Sequence, residues 1–511
     1  MGVGQGTTPV IRATWGARFA VPIFKQSPMT TSKPVRHSLI EGPIGKSLAL
    51  FTLPILASNV LQSINGSVNA IWVGHYLGEA ALAATSISNT ILFLLLSLVF
   101  GIGMASTILV GQRIGGGQTD GAKQVVGTGF SAFAIGALLI AIGGSLATAQ
   151  LLALLQTPVD VLPYATTYLR IIFFGLPFTL VYIYLTMVLR GAGDSKTPML
   201  FLLLSVSLDI ALNPLLIFGL GPIPALGIAG SAWATFIANI TSLTALLAFL
   251  YRRKHFLWLH GSELAYLRPQ RKLLAALVTK GVPMGLQMIV MSGSAVVMIG
   301  LVNRFGSQTT AAFGAAMQLW NYIQMPAMAV GMAVSSMAAQ NVGAGLWHRV
   351  DRIAMTGIGF GLLLTGSLVA IVFLFSQHAL GLFLPNDGDA LAIGVHINHI
   401  AVWAFLFFSV AMTLMGVVRS TGAVVPPLLI LVFSLWVVRI PFATSLIDRW
   451  PDALWWSYPL GSAISALLAI GYYRWGGWRK AHMITPASAA ATYETPTAPG
   501  AGGKAPPVTA T

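Results

Sequence analysis

The chain consists largely of apolar stretches that are long enough to cross a lipid bilayer and are separated by short turns. Residues 91–110 and 361–375 lie within two such stretches. A helix needs about 20 apolar residues to span the hydrocarbon core of a membrane. Only 8% of the residues are charged, whereas a soluble protein carries about 25%, so the chain cannot cover a soluble surface of its size. These features predict an all-α polytopic membrane protein.

Twelve membrane-spanning helices can be placed, with breaks at turn residues such as 115–117 and 385–388. The predicted spans are 46–73, 80–112, 122–155, 161–189, 195–218, 225–251, 273–302, 309–340, 349–377, 390–418, 424–447 and 453–474. The predicted domains are an N-terminal cytoplasmic tail (1–45), an N-lobe (46–251), a cytoplasmic linker (252–272), a C-lobe (273–475) and a C-terminal tail (476–511). The last segment is rich in Ala, Pro, Thr and Gly, a composition typical of disorder.

Basic residues are distributed unevenly about these spans. If the N-terminus is cytoplasmic, 24 of the 28 Lys and Arg residues lie in inward loops, tails and the span ends beside them. The outward side holds Arg304, Arg439 and Arg449, and Arg170 lies within the fourth span. The positive-inside rule therefore predicts that both termini are cytoplasmic. This bias accounts for the net charge of +15, and nucleic acid is not an expected partner because no aromatic-interleaved basic patch occurs.

The two halves of the chain repeat each other at an offset of 228–229 residues. Corresponding positions include 111–117 and 339–345, Arg190 and Arg419, Gly193 and Gly422, and Pro54 and Pro283. A period of six spans gives both halves the same orientation, so an axis along the membrane normal relates them. A cleft between two such lobes suits alternating access. Pro54 and Pro283 are candidate points of helix bending.

The order and spacing of several short motifs resemble those of multidrug and toxic compound extrusion (MATE) transporters over residues 46–475. The motifs are 54–74, 111–115, 168–170, 190–194, 213–219 and 230–235. The resemblance implies a secondary antiporter that exports amphipathic, often cationic, drugs or metabolites in exchange for H⁺ or Na⁺. We accordingly expect a monomer in the bacterial inner membrane. Its partners would be a small-molecule substrate, the coupling ion and the lipid bilayer, with no cofactor and no catalytic residues.

Asp209 is the only one of the 13 acidic residues that lies well inside a predicted span. A carboxylate at helix centre costs about 2.5–3.5 kcal/mol on insertion scales, so it is expected to face a cavity or a partner and to mark an ion path. Asn213 follows one turn later on the same helix face, and Tyr168 and Thr235 lie at a similar depth in neighbouring spans. Asn69, nearer the outer end of helix 1, completes the predicted cation-binding site.

The predicted site departs from the family pattern and allows a second interpretation. Many MATE relatives carry a carboxylate at the position of Asn69 and the order Asn-x-x-x-Asp in helix 5, whereas this chain has Asp209 before Asn213. A single carboxylate fits one monovalent cation or one proton. Arg170 lies at the depth of Asp209, and an ion pair that only holds helices 4 and 5 together is the structural alternative.

Polar residues and methionines of helices 7 and 8 are candidates for a substrate cavity, namely Gln287, Met291, Gln318 and Asn321. Methionine surfaces adapt to varied ligands, although the same residues would also serve packing and hydrogen bonding between helices. The absence of cysteine excludes thiolate metal sites, and no other metal-ligand set is evident.

Two other functions stay open. A lipid-linked oligosaccharide flippase of the same superfamily is one, although such flippases often have more spans. A polytopic membrane enzyme is the other, although a single buried carboxylate is a poor catalytic set.

Overall fold

The computed structural model of the protein describes residues 39–219, 224–384 and 388–484. Within these ranges the chain forms only helices and the turns that join them. The helices are α1 (Ile44–Leu77), α2 (Glu79–Gly115), α3 (Thr119–Leu146), α4 (Thr148–Leu154), α5 (Leu162–Gly191), α6 (Lys196–Phe218), α7 (Ile228–Arg252), α8 (Arg271–Val302), α9 (Ser307–Gly343), α10 (Trp347–Leu374), α11 (Ser376–Gly381), α12 (Asp389–Ala401), α13 (Ala404–Arg419), α14 (Val425–Val432), α15 (Ile440–Leu446) and α16 (Ala453–Trp475).

Twelve spans arise from these helices, as the sequence predicts. In the described ranges, ten helical segments are long and apolar enough to cross a membrane, and α12 with α13 adds one more, the tenth span in chain order, which is bent by 42°. The remaining span, α9, is 37 residues long, but its polar residues, including Gln318 and Asn321, keep its hydropathy below that of the others. The fold is a membrane bundle of two six-span lobes, α1–α7 and α8–α16.

Several predicted spans are interrupted in the structure. The third consists of α3 followed by the short α4, and the ninth of α10 followed by α11. The eleventh contains a π-helical turn, Phe433–Arg439, between α14 and α15. Pro441 follows this turn and lacks a backbone N–H, so it cannot form the helical hydrogen bond to the preceding turn. Arg439, which the sequence places among the outward charges, lies in this turn, and its guanidinium is 3.6 Å from the ring centre of Tyr458.

Ordered structure extends beyond the predicted ends of the two lobes. The backbone N–H of Leu39 donates to Oε1 of Gln340 at 3.0 Å. At the other end, Trp478 is only 1% exposed, and its carbonyl oxygen accepts a hydrogen bond from Thr421 Oγ1 at 2.8 Å. Residues 476–484 of the predicted disordered tail are therefore packed on the bundle, while the rest of both tails lies outside the described residues.

The predicted linker between the lobes is also ordered. It contains a short 3-10 helix, Gly261–Leu267, which packs against α3. Lys123 Nζ lies 2.5 Å from Glu263 Oε1, and Ser131 Oγ donates to the carbonyl of Leu267 at 2.5 Å. The hydrogen bond from Lys123 lowers the pKa of the Glu263 carboxyl. The linker is thereby fixed to the first lobe.

The internal repeat is visible in the backbone as well as in the sequence. Gly117 and its counterpart Gly345 both have a φ of +72°. Gly193 and its counterpart Gly422 have φ values of +89° and +102°. Glycine adopts this left-handed region without steric cost, which explains why the repeat keeps glycine at these turns. The two lobes thus end their corresponding helices in the same way.

The lobes meet where α2 and α9 end, and this contact requires glycine on both sides. A Cβ atom at Gly115 would overlap the carbonyl oxygen of Gln340, and one at Gly343 would overlap the carbonyl oxygen of Gln112. Gly115 and Gly343 are equivalent in the repeat, as are Gln112 and Gln340. The contact is therefore reciprocal, and we call this side of the bundle the closed side.

Two hydrogen bonds reinforce the closed side with the same symmetry. Gln112 Nε2 donates to the carbonyl oxygen of Ser420 at 2.6 Å. Gln340 Nε2 donates to the carbonyl oxygen of Gly191 at 3.0 Å. Each glutamine reaches from its own lobe to the end of a helix in the other lobe, so these bonds break if the lobes separate here.

Candidate ion site and central cavity

Asp209 lies at the centre of a hydrogen-bonded network inside the first lobe. Its side chain is 2% exposed. Asn65 Nδ2 donates to Oδ2 at 2.8 Å, while Thr235 Oγ1 and Asn213 Nδ2 each donate to Oδ1 at 3.1 Å. Helices α1, α6 and α7 therefore converge on one carboxylate.

All partners of this carboxylate are neutral. Among the described residues no Lys, Arg or His forms an ion pair with Asp209. The Oδ1 atom of Asn213 is also buried and accepts no hydrogen bond within the described ranges. A buried carboxylate without a counter-charge, next to an unused amide oxygen, can take up a proton or a monovalent cation.

The local sequence of α6 sets up this arrangement. Asp209 and Asn213 are one turn apart, so both side chains lie on one face of the helix. Asn213 Nδ2 also donates to the backbone carbonyl of Asp209 at 3.0 Å. Pro214 lies inside the helix and has no N–H to bond to the carbonyl one turn earlier. Polar groups therefore gather at this level of an otherwise apolar helix.

Tyr168 and Asn69, which the sequence also assigns to the site, form no hydrogen bond with Asp209 in the structure. Tyr168 is 5% exposed and lines a cavity of about 280 Å³ with Asn69 and Thr235. Asn69 does not bond Asp209, since its Oδ1 accepts a hydrogen bond from Ser231 Oγ at 2.9 Å. The site therefore gathers Asp209, Asn213 and Thr235 directly, with Tyr168 and Asn69 on the cavity wall.

The predicted ion pair between Arg170 and Asp209 is not formed. Arg170 is exposed on the surface of α5 and forms no ion pair within the described residues. Side chains two positions apart in an α-helix are separated by about 200° around the helix axis. Because Tyr168 faces the cavity, Arg170 must point away from it.

Asn65 is the residue that sequence reasoning missed. It makes the shortest hydrogen bond to Asp209 and lines the same cavity. The signal was present, because Asn65 precedes Asn69 by four residues and therefore lies on the same face of α1. Asn239, four residues after Thr235, lines the cavity in the same way.

A larger cavity of about 630 Å³, which we call the central cavity, lies between the two lobes. All four predicted substrate residues line it: Gln287, Met291, Gln318 and Asn321. Methionines of α8 and α9 cover much of its wall: Met284, Met288, Met325, Met328 and Met332. Gln318 and Asn321 are exposed, whereas Gln287 near the closed side is 3% exposed. The cavity is therefore open away from the closed side and ends near it.

The two cavities follow one another along the same face of α1, since Gln62 and Asn69 are seven residues, or about two turns, apart. Asn59 and Gln62 of α1 line the central cavity, while Asn65 and Asn69 line the small cavity beside Asp209. Leu96 of α2 contributes to both walls. One helix therefore carries both an Asp209 partner and part of the central cavity wall. Pro54 lies in this helix, and its counterpart Pro283 lies in α8.

Comparisons with known proteins agree with this architecture. The family model MatE matches residues 54–215 and again 283–444, so the match itself repeats with the two lobes. The chain is 38% identical over 458 residues to the probable multidrug resistance protein YoeA of Bacillus subtilis, covering 89% of this chain and 97% of that protein. It is 32% identical over 456 residues to the probable multidrug resistance protein YpnP of the same organism, covering 88% and 99%.

A solved structure shows the same fold. The outward-facing conformation of a multidrug resistance MATE family transporter superposes with a TM-score of 0.80, at 19% sequence identity, over 87% of this chain and 98% of that chain. The two family-model matches together span more than half of the chain, and both relatives are matched over nearly their whole length. The chain therefore belongs to the MatE family of membrane transporters.

Proposed function

We propose that the protein is a secondary active antiporter that exports amphipathic drugs or metabolites in exchange for H⁺ or Na⁺ by alternating access. The observation that carries this proposal is the buried Asp209 network, which shares helix α1 with the wall of the central cavity. Among the described residues its carboxylate has only neutral partners, so gain or loss of a cation changes the local charge by one unit. The names of the curated relatives, which describe multidrug resistance proteins, agree with this substrate class.

Coupling would act through α1. When Asp209 exchanges its bound proton or cation, the hydrogen bond from Asn65 changes in strength, because a bond to an ionised carboxylate is about twice as strong as a neutral one. Earlier turns of α1, with Asn59 and Gln62, form part of the wall of the central cavity. An ion-dependent shift of α1, with Pro54 as the bending point, would then alter substrate affinity.

The closed side supplies the second element of alternating access. We assign it to the cytoplasm, together with both chain termini, because the charge bias of the loops places the termini inside. The described conformation is then outward-facing, with the central cavity open to the exterior of a bacterial inner membrane. The protein would act as a monomer, since each chain contains both lobes.

Reconstituted efflux tests the coupling. The purified protein is placed in proteoliposomes, and proton and sodium gradients are imposed separately while efflux of a fluorescent substrate is followed. We expect one gradient to drive efflux in the parent and neither to do so in Asp209→Asn, because the amide can neither titrate nor carry charge. Asp448→Asn is the control, since Asp448 is an exposed acid near the end of α15.

A variant of Asn65 tests the role of its hydrogen bond to Asp209 in the same efflux assay. Asn65→Ala removes one hydrogen-bond donor from the carboxylate and is expected to shift the ion concentration for half-maximal efflux. Asn69→Ala is its matched control, because Asn69 bonds Ser231 instead. Gradient-driven efflux at the parent rate in a well-folded Asp209→Asn variant would refute the assignment.

A further inference from the structure

Two arginines lie at the floor of the central cavity, where it ends near the closed side. Arg190 is at the end of α5 and Arg419 is the last residue of α13. They occupy equivalent positions in the repeat, so the pseudo-twofold axis brings one from each lobe to the same level. Among the described residues that line the cavity, these two are the only charged side chains. The described lining of the cavity therefore carries two positive charges and no carboxylate.

Arg419 is held in place but not neutralised. It is 8% exposed, and its Nη1 donates to Oε1 of Gln287 at 2.9 Å. Gln287 in turn points its Nε2 toward the carbonyl oxygen of Val424 at 3.4 Å. The Nε atom of Arg419 is buried without a hydrogen-bond partner in the described residues. A neutral amide thus orients this guanidinium and leaves its charge available.

Arg190 has still fewer partners. Its Nε is buried without a partner, and the described residues provide it with neither a hydrogen bond nor an ion pair. The residue equivalent to Gln287 in the first lobe is Ser58, whose hydroxyl donates instead to the carbonyl of Pro54 at 2.8 Å. Nearby, Tyr182 is 4% exposed, lines the same cavity, and has a buried hydroxyl without a partner. The Nε atoms of Arg190 and Arg419 and the Tyr182 hydroxyl therefore have no hydrogen-bond partner among the described residues.

Cationic groups removed from water are unfavourable unless an opposite charge or strong acceptors compensate them. Guanidinium groups bind phosphate and carboxylate through two parallel hydrogen bonds. The wall above the arginines is rich in methionine, with Phe93 and Phe100 beside it, and also carries neutral polar residues such as Gln318. A cationic ligand would meet like charge at this floor, whereas a ligand with an anionic end would satisfy the unused donors.

We propose that the central cavity takes an amphipathic compound whose anionic group, a phosphate or carboxylate, binds between Arg190 and Arg419 while its apolar part contacts the methionines. This inference rests on the proposed function in taking the cavity to be the substrate site. It differs from the expectation of cationic substrates that the family resemblance implies. The shared chemistry allows two sources, a soluble metabolite or the headgroup of an anionic lipid.

Equilibrium binding with a matched pair of probes tests the proposal. Flavin mononucleotide and riboflavin share a fluorescent ring and differ by one phosphate group. Binding is measured with the full chain in phosphatidylcholine nanodiscs without any gradient. We expect flavin mononucleotide to bind at least about tenfold more tightly than riboflavin, since charge-assisted hydrogen bonds are the strong ones. Arg190→Gln and Arg419→Gln should each remove most of that difference and leave riboflavin binding unchanged.

Arg170→Gln is the matched control, because Arg170 is an exposed arginine on the same helix as Arg190. Thermal unfolding of each variant guards against a purely structural role. Arg190→Gln should be at least as stable as the parent, since it removes a charge that has no partner. A marked loss of stability in Arg190→Gln would instead show that the arginine braces the helix end, and would overturn the proposal.

Adding anionic lipid to the nanodisc distinguishes a soluble metabolite from a lipid headgroup as the natural ligand. If the natural occupant is a lipid headgroup, phosphatidylglycerol should weaken binding of flavin mononucleotide to the parent but not to Arg190→Gln. If affinity is unchanged, the occupant is a soluble anion. No binding of flavin mononucleotide, equal affinities for the two flavins, or the same loss with Arg170→Gln would each overturn the anionic site. Because no gradient is used, these results are independent of whether Asp209 couples transport to an ion.

Discussion

The reciprocal glycine contact on the closed side allows a direct test of alternating access. In Gly115→Ala the added Cβ would overlap the carbonyl oxygen of Gln340. Because ordinary contact requires ~3.5 Å between heavy atoms, α2 and α9 must move apart by more than an ångström. This movement weakens the hydrogen bonds of Gln112 and Gln340 to the opposite lobe, which measure 2.6 and 3.0 Å.

The size of the effect follows from these two bonds. Each contributes about 0.5–1.5 kcal/mol net, so their joint loss destabilises the closed side by roughly 1–3 kcal/mol and shifts the equilibrium between the two conformations roughly 5- to 150-fold. Because we propose that the closed side faces the cytoplasm, we expect the shift toward the inward-facing state, in which this contact would be open. Gly343→Ala should act in the same direction, since the contact is symmetric in the repeat.

Distance measurements between spin labels provide the assay. The chain has no cysteine, so only introduced cysteines are labelled. Labels at Asp120 and His348, both exposed on the closed side, should move apart in Gly115→Ala. Labels at Glu79 and Ser307, exposed on the opposite side, should move together.

Gly136→Ala is the control, because no atom lies within 4 Å of a Cβ at that position. Its distance distributions should match those of the parent. Unchanged distributions at both label pairs in Gly115→Ala would refute the assignment of this contact as the seal of the outward-facing state.

Two further predictions concern topology and the linker. A cysteine at Glu79 should react with an impermeant reagent from outside the cell and one at Asp120 only from the cytoplasm; reaction of both from one side would contradict the assigned orientation. Lys123→Ala should lower the melting temperature at neutral pH by the equivalent of up to about 1 kcal/mol. Because Lys123 lowers the pKa of Glu263, that contribution exists above the unfolded pKa and is lost as the pH falls through the folded pKa, so melting curves of parent and variant should converge in acid. A difference that persists or grows in acid would exclude this ion pair as its cause.

The sequence alone determined the number of spans and the repeat, and it identified Asp209 as an isolated acid within a span. These properties are local, because hydropathy over about 20 residues decides whether a segment can span a membrane. The isolation of Asp209 is likewise a property of one chain segment. Residues four apart share a helix face, so Asn213 could be assigned to the same site from the sequence.

The tertiary structure decided which residues face each other. Tyr168 and Arg170 are at the same depth, and only the rotation of α5 in the bundle shows that Tyr168 faces the cavity and Arg170 the surface. Asn65, rather than Asn69, meets Asp209 because α1 presents that turn to α6. Such rotations depend on packing between helices that are distant in sequence, which no local pattern specifies.

The two cavity arginines show most clearly what the sequence and the tertiary structure each decide. In the sequence, Arg190 and Arg419 are members of a predicted cytoplasmic charge bias, and counting them there gives the same predicted topology whether they face solvent or protein. Only the packing of the two lobes shows that both lie at the floor of one cavity whose described lining residues include no carboxylate. The positive-inside rule responds to how many charges flank a span, whereas ligand chemistry depends on where each guanidinium points and what surrounds it.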